Sequence, residues 1–193
     1  VSSAASDVYK RQVVHALTGH LDKSRNPIQI GAELYGAEGV AATGEVIRLM
    51  LESLSVANIH AVHLDLGHVG LFRAIARQAA LSDAQETIVF DLLQRKDATD
   101  LETFIRTLDL SNPVAGMLMA LLELNGPVAV IQGAREALRE GGAEIGRALD
   151  ELAALAASLQ QLYPGLPLNV DLAELRGYQY HTGVVFALSL IHI

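Results

Sequence analysis

The sequence predicts an α+β fold, in which an antiparallel sheet is flanked by helices and a helical insertion interrupts the run of strands. Two segments with strand periodicity occur in the first third of the chain, and two more occur near its end. Between about residues 69 and 162 the apolar residues recur at helical spacing instead. Strands and helices therefore do not alternate one by one, as they would in a parallel α/β protein, and the α+β class follows.

The first predicted strand covers residues 28–35, where apolar and polar residues alternate. Gln29 and Glu33 lie on its polar face, because residues four apart in a strand point to the same side. The helix that follows is predicted by three apolar residues at helical spacing, Val46, Met50 and Leu54.

Three further strands are predicted, each with one apolar and one polar face. They cover residues 60–66, 168–173 and 184–187. The short connection between the last two favours an antiparallel hairpin. If all four strands join one sheet, their apolar faces pack on helices and their polar side chains form a floor open to a ligand. The members of this floor include His63, Asp65, Asn169 and Asp171.

The helical segment carries start and stop signals of its own. Ser82 and Gln85 match the capping box that opens a helix. Asn125-Gly126-Pro127 is predicted to end one helix and begin another, and Gly141-Gly142 to separate two more. The last helix has the clearest apolar stripe of the chain and stops before Pro164-Gly165.

The composition limits the possible classes of function. With 14 Lys and Arg against 22 Asp and Glu, the formal net charge is −8, so we expect no nucleic-acid partner. The chain has no cysteine, which excludes disulfides and thiolate metal sites. No apolar run is long enough to span a bilayer, and the first residues lack the apolar stretch of a signal peptide. We therefore expect a cytoplasmic protein that contacts no membrane. We also expect no cofactor, since there is no glycine-rich phosphate loop and no Walker-type lysine.

The two ends of the chain are related at the level of their coding sequence. Residues 7–12 can be encoded by GATGTGTATAAGAGACAG, whose reverse complement translates as residues 188–193. This string resembles the transposon end used in preparing sequencing libraries. We therefore expect residues 1–12 and 188–193 to be adaptor translation. Residues 13–187 would then be a partial domain truncated at both ends, with the helical insertion at about 69–162.

The densest group of residues that could carry chemistry lies near the end of the chain. Arg176 offers a rigid fork for a carboxylate or a phosphate, and Gly177 lets the backbone bend or approach a ligand closely. Tyr178, Tyr180 and His181 could hold a planar ring and hydrogen-bond its edge. The same residues also fit an ordinary turn with aromatic packing and a solvated arginine, and their spacing alone leaves both interpretations open.

Two other groups of polar residues invite a binding interpretation. A carboxylate beside an amide, Glu33 with Gln29, suits an ammonium group, although the exposed face of a strand explains the pair equally well. His60, His63 and His68 suggest a metal, but the first two point to opposite faces of the predicted strand and no carboxylate completes a known ligand spacing. We therefore expect no metal site.

Two segments together are specific enough to identify a family. Arg25-Asn-Pro-Ile-Gln-Ile-Gly-Ala-Glu-Leu-Tyr-Gly36 resembles the end of motif 2 in histidyl-tRNA synthetases and their paralogues. Arg176-Gly-Tyr-Gln-Tyr-His-Thr-Gly183 resembles their histidine-binding motif. Within the family, Asp171-Leu-Ala-Glu-Leu-Arg-Gly-Tyr178 and Val62-His-Leu-Asp-Leu-Gly-His68 look like the paralogues that regulate ATP phosphoribosyltransferase. The resemblance covers residues 13–187.

The resemblance implies a class II aminoacyl-tRNA synthetase-like fold and a site for histidine. By matching position, Gln29 and Glu33 would hold the α-ammonium group of histidine, and Arg176 would meet its carboxylate. The imidazole pocket of the family falls on three further residues of this chain, Tyr178, Tyr180 and His181.

The resemblance also implies a function and its partners. A regulatory subunit of this kind has no catalytic residues of its own. It associates with a short-form ATP phosphoribosyltransferase catalytic subunit and with further copies of itself. It is required for the activity of that enzyme, and it mediates feedback inhibition by L-histidine in histidine biosynthesis.

Two departures from the synthetase pattern agree with a non-catalytic role. No arginine occurs between Val13 and Arg25, where class II synthetases place the arginine that holds the ATP phosphate. His181 stands where the histidine motif has its second tyrosine. Two alternatives stay open, namely a fragment of an active histidyl-tRNA synthetase and an α+β binding module without histidine chemistry.

Overall fold

The computed structural model describes residues 30–189. Residues from Leu34 onward form one unit, and Ile30–Glu33 belong to a separate N-terminal unit, where they are exposed and have no regular secondary structure. The elements of the described residues, in chain order, are α1 (Val40–Val56), β1 (His63–His68), α2 (Val69–Gln78), α3 (Asp83–Gln94), α4 (Ala98–Arg106), α5 (Asn112–Glu123), β2 (Asn125–Pro127), α6 (Val130–Ala137), a 3-10 turn (Arg139–Gly141), α7 (Gly142–Leu162), β3 (Leu168–Asp171) and β4 (Val184–Ser189).

The four strands form one mixed sheet in the order β2-β3-β1-β4. Strand β1 is parallel to β3, with Asp65 opposite Asn169, and antiparallel to β4, with Asp65 opposite Ala187. Strand β2 is antiparallel to β3. The predicted α+β class is confirmed, although one strand pair of the sheet is parallel.

The predicted antiparallel hairpin between the last two strands is wrong, because β1 lies between β3 and β4. The reason is that β1 carries fully buried Leu64 and Leu66 and takes the position that has a hydrogen-bonded neighbour on each side. The connection over residues 172–183 is long enough to pass the end of β1, whereas a tight hairpin needs only about two residues.

The predicted strand over residues 28–35 is also wrong for residues 30–35, which the structure describes. Its first two residues, including Gln29, lie outside the described residues. Residues 30–35 are not part of a strand. Apolar and polar alternation alone does not make a strand, because a strand also needs a neighbouring strand that completes its backbone hydrogen bonds.

The helical prediction for residues 69–162 is confirmed by α2 to α7, with one exception. The capping box is present, since Ser82 Oγ accepts from the Gln85 amide at 3.4 Å and Gln85 Oε1 accepts from the Ser82 amide at 2.9 Å. The exception is Asn125-Gly126-Pro127, which forms β2 instead of a simple break between helices. Three residues are too few for a strand period to be recognised.

A single hydrophobic core joins the sheet to the helices. Leu64, Leu66 and Val170 of the sheet are fully buried with Phe72 of α2 and Leu152 of α7. Helix α7 packs against α1, α2 and α6. Within residues 30–189, no helix combines the length and apolar character that crossing a bilayer requires.

Candidate functional site

A cavity of about 500 Å³ lies over the polar side of the sheet. Its floor is formed by Asp65 of β1, Asn125 of β2, and Asn169 and Asp171 of β3. The strand register explains this grouping, because Asp65 is opposite Asn169 and Asn125 is opposite Asp171. The polar floor predicted from strand alternation is therefore confirmed for Asp65, Asn169 and Asp171, and Asn125 is an addition that was not predicted. The cavity walls are completed by Gln94, Lys96, Ala173, Glu174 and Arg176.

Two cations line this cavity, each beside a carboxylate. Lys96 Nζ is 2.5 Å from Asp171 Oδ2, and Asp171 Oδ1 accepts from the Ala173 amide at 2.9 Å. Arg176 Nη2 is 3.3 Å from Glu174 Oε2. Both cations keep further N–H donors beyond these contacts, so the cavity can offer positive charge to a carboxylate of a ligand.

Asp65 is the one carboxylate of the cavity floor for which no ion pair is found among residues 30–189. It is half-buried at the centre of the sheet. An unpaired carboxylate in a partly desolvated position attracts a cationic group more strongly than one in bulk water. The cavity therefore presents both signs of charge, with Asp65 for a cationic group and Arg176 or Lys96 for a carboxylate.

Gly67 of β1 is required where the connection after β3 passes over the end of the cavity floor. A Cβ at this position would lie 2.7 Å from the Glu174 carbonyl oxygen and 3.0 Å from that of Asp171. Such distances are shorter than van der Waals contact, so any other residue would displace the turn that carries Glu174. Gly67 thereby allows Glu174 to occupy its position in the cavity wall.

A second, smaller cavity of about 240 Å³ adjoins the same wall. It shares Glu174 and Arg176 with the larger cavity, and His181 and Phe186 also line it. The His181 ring lies directly over Gly177, whose φ is +70°, and a Cβ on Gly177 would be 2.3 Å from His181 Cδ2. Glycine is therefore needed here both for the backbone angle and for the ring above it.

The predicted aromatic residues separate into an interior one and two surface ones. Tyr178 is buried, with its ring centroid 5.2 Å from that of Phe72 and 5.4 Å from that of Phe90, and its hydroxyl donates to Glu86. Burial raises the pKa of Tyr178 far above its ordinary value, and the hydrogen bond to Glu86 adds to the rise. Tyr180 and His181 are exposed instead. The ligand role of all three stays a prediction.

Arg176 and His181 line one cavity, and the other predicted site residues of the same segment do not line it. Gln29 lies outside the described residues. Glu33 is exposed in the N-terminal unit. Arg73 of α2, which sequence reasoning missed, donates to the backbone of the segment that holds Arg176 and His181. A single arginine on an amphipathic helix gives no sequence signal that separates it from an ordinary surface charge.

His60 and His68, two of the histidines that suggested a metal, have structural partners. His60 Nε2 is 3.1 Å from Asn58 Oδ1. His68 is buried and caps α2, since its Nδ1 accepts from the Gly70 amide at 3.1 Å, while its Nε2 is 3.3 Å from Glu151 Oε2. Burial lowers the pKa of His68, an effect that Glu151 partly opposes. Among residues 30–189, no three His, Asp or Glu side chains are grouped closely enough to hold a metal ion.

Comparisons with known proteins place this architecture in a family. A family model described as histidyl-tRNA synthetase matches residues 6–190. An ATP phosphoribosyltransferase regulatory subunit from Methylococcus capsulatus is 51% identical over 179 residues, which are 93% of this chain and 44% of that protein. The chain thus spans less than half the length of the curated relatives it matches.

Solved structures agree with the sequence matches. A protein described as an ATP phosphoribosyltransferase regulatory subunit/histidyl-tRNA synthetase from Bacillus halodurans superimposes with a TM-score of 0.69 at 28% identity, over 80% of this chain and 40% of that one. A chain of the ATP phosphoribosyl transferase (HisG:HisZ) complex from Thermotoga maritima superimposes with a TM-score of 0.58 at 19% identity, over 79% of this chain and 52% of that one, and so supports the fold alone. The family model covers nearly the whole chain, and the chain therefore belongs to the histidyl-tRNA synthetase family.

Proposed function

We propose that this chain is part of a non-catalytic regulatory subunit of ATP phosphoribosyltransferase. Such a subunit is required for the activity of the short-form catalytic subunit and mediates feedback inhibition by histidine in the first step of histidine biosynthesis. The observation that carries this proposal is the 51% identity to a protein of that name over 93% of the chain. The proposal places the protein in the cytoplasm, in a complex that also contains further copies of itself.

The chemistry of the site supports histidine as the effector. Arg176 lines both cavities and has donors left for the α-carboxylate. In this proposal Tyr178, Tyr180 and His181 supply ring faces and edges for the imidazole by their match to the family motif, and His181 also lines the smaller cavity. Gln29 and Glu33 hold the α-ammonium group by their match to the family motif. A carboxylate for an amine, an arginine for an acid and rings for a ring together correspond to the three parts of one amino acid.

The departures from the synthetase pattern support a regulatory rather than a catalytic role. Activation of histidine by ATP, in which the histidine carboxylate attacks the α-phosphate and pyrophosphate leaves, requires cationic stabilisation of the reacting phosphate. The segment between Val13 and Arg25 contains no arginine, although motif 2 of class II synthetases carries one there. The cavity cations Lys96 and Arg176 each lie beside a carboxylate, which offsets part of their charge.

Regulation by histidine needs a difference in affinity. The effector changes the activity of the assembly only if it binds two states of that assembly with different free energies. The proposed subunit therefore binds histidine more tightly in the inhibited state of the complex than in the active one.

The decisive experiment uses the full-length protein from the same source together with a short-form catalytic subunit. Phosphoribosyl transfer is measured with and without the protein, and with increasing histidine. Activity that depends on the protein and falls as histidine rises is the expected result. No effect on the catalytic subunit at any ratio of the two proteins would overturn the proposal.

An active histidyl-tRNA synthetase is the second candidate, and it is favoured by the description of the matching family model. The same full-length protein would then catalyse histidine-dependent exchange between ATP and pyrophosphate on its own. We expect no such exchange from a regulatory subunit. Exchange without any effect on phosphoribosyl transfer would favour the synthetase.

The ammonium site can be tested within the same assay by Glu33→Ala. Losing a charge-assisted hydrogen bond of about 1.5–3 kcal/mol should raise the histidine concentration for half-inhibition roughly tenfold or more. Glu38→Ala is the matched control, since Glu38 is also exposed and lies five residues further along. An unchanged inhibition constant in a well-folded Glu33→Ala protein would remove Glu33 from the site.

A further inference from the structure

The segment 176–183, which carries Arg176, Tyr180 and His181, is attached to the N-terminal half of α2. We call residues 176–183 the effector segment. Three of its carbonyl oxygens accept hydrogen bonds from α2: those of Tyr178 and His181 from Arg73 Nη2, the latter at 3.1 Å, and that of Gly183 from the Val69 amide at 3.1 Å. Helix α2 therefore supports the effector segment from the interior side.

Within the effector segment the backbone makes a tight turn. The amides of Tyr180 and His181 both donate to the Gly177 carbonyl oxygen, at 2.8 and 2.9 Å. This turn directs Tyr178 into the core while Tyr180 and His181 remain exposed. The two carbonyls that Arg73 binds belong to Tyr178 and His181, one on each side of the exposed Tyr180.

Arg73 is suited to this task by the shape of its guanidinium group. The guanidinium carbon lies 4.5 Å from the centroid of the Tyr178 ring, in a cation–π arrangement. One Nη nitrogen reaches both carbonyls, and the Nε atom is buried without a hydrogen-bond partner among residues 30–189. Leaving a buried donor unsatisfied costs about 1–3 kcal/mol. The two hydrogen bonds from Arg73 to the Tyr178 and His181 carbonyl oxygens offset this cost.

We propose that Arg73 is a positioning residue for histidine recognition. It holds the effector segment in the turn that presents Arg176 and His181 to the cavities, although its own contacts are to the backbone and to the Tyr178 ring. This inference rests on the proposed function, because that function supplies histidine as the ligand of the pre-formed turn. Without Arg73 the turn is populated only part of the time, and apparent affinity falls in proportion to the populated fraction.

The test compares three variants of the full-length protein, namely R73M, R73K and R77M. Methionine keeps most of the apolar length of the side chain but removes both carbonyl contacts. Lysine restores a cation over the Tyr178 ring but lacks the planar fork, so it should recover only part of the effect. R77M is the matched control, because Arg77 is one turn further along α2 and forms an exposed ion pair with Glu144 instead of hydrogen bonds to the effector segment.

Two readouts separate positioning from general stability. Hydrogen exchange of the Tyr180 and His181 amides, measured without histidine, should be at least tenfold faster in R73M than in the wild type and in R77M. Histidine affinity, measured by calorimetry, should fall roughly tenfold in R73M and less in R73K, whereas R77M should equal the wild type. Exchange in the helices α4 and α5 should not change in any variant.

Each possible outcome decides the matter. Wild-type exchange at Tyr180 and His181 in R73M, or in R73K where R73M does not fold, would overturn the proposal. Faster exchange with unchanged histidine affinity would overturn it as well, because Arg73 would then be structural only. Failure of the wild-type protein to bind histidine would instead count against the proposed function, and the exchange measurement would still report whether Arg73 holds the turn.

Discussion

The two faces of the four-stranded sheet have opposite properties, although they are built from alternate residues of the same strands. On one face Leu64, Leu66 and Val170 are fully buried against the helices. On the other face Asp65 and Asn169 are half-buried and line a cavity of about 500 Å³. Adjacent residues of β1 therefore face opposite sides, one lying in the core and the next in the candidate binding site.

This difference separates the residues that stabilise the fold from those that are candidates for ligand recognition. The apolar face contributes through burial, at about 25 cal/mol per Å² of apolar surface removed from water. The polar face contributes little to stability, because its Lys96–Asp171 pair is partly solvated and exposed pairs are worth about 0–1 kcal/mol. Substitutions on the two faces should consequently affect different measurements.

The largest expected effect is that of Leu66→Ala on the apolar face. Removing three buried carbons from a fully buried leucine should lower the free energy of unfolding by about 2–5 kcal/mol, from both lost burial and the cavity left behind. Urea denaturation of the full-length protein measures this. Val56→Ala in α1 is the control, because Val56 is 90% exposed and its truncation should be almost neutral. A cost below about 1 kcal/mol for Leu66→Ala would mean that this face is not part of the core.

A smaller effect concerns His68, the polar residue that follows Leu64 and Leu66 on the apolar face. Burial lowers the pKa of His68 below its ordinary value of 6.5. The unfolded chain therefore binds a proton near pH 6.5 that the folded chain rejects. The contribution of His68 to stability is full above pH 6.5 and is lost as the pH falls below that value. Because Nδ1 accepts from the Gly70 amide, protonation would also disrupt the cap of α2.

The pH dependence is measured as the difference in unfolding free energy between the wild type and His68→Asn, from pH 8 to pH 5. Asparagine keeps a side-chain acceptor for the helix cap but does not titrate. We expect the wild type to lose more stability than the variant on acidification. The opposite trend would mean that the ion pair of protonated His68 with Glu151, at 3.3 Å, outweighs the cost of burial.

The comparison of the two faces also explains which parts of the fold could be predicted from the sequence. Strand alternation reports directly which residues share a face, so the polar floor at Asp65, Asn169 and Asp171 was predictable. Alternation does not report which strand lies beside which. The parallel pairing of β1 with β3, about 100 residues apart, depends on tertiary packing, and the predicted hairpin failed for that reason.

The positions of the predicted site residues in the fold were only partly predictable from the sequence. Arg176 and His181 border the same small cavity, as their proximity in sequence suggested. The burial of Tyr178 could not be predicted, because the turn at Gly177 breaks any regular period and two neighbouring tyrosines give no signal of which one faces the core. Arg73 was missed because its partners are backbone carbonyls, which leave no trace in side-chain patterns.

The smallest expected change in stability is that of Asp65→Asn on the polar face. This substitution keeps the shape of the side chain and removes a carboxylate that has no ion pair with any of residues 30–189, so the free energy of unfolding should change by no more than about 0.5 kcal/mol. The affinity for histidine should nevertheless fall severalfold, because the cavity loses its attraction for a cationic group. Asp109→Asn is the control, since Asp109 is exposed in the connection between α4 and α5. A large loss of stability would make Asp65 a structural residue, and unchanged affinity in a stable variant would mean that histidine does not use this cavity.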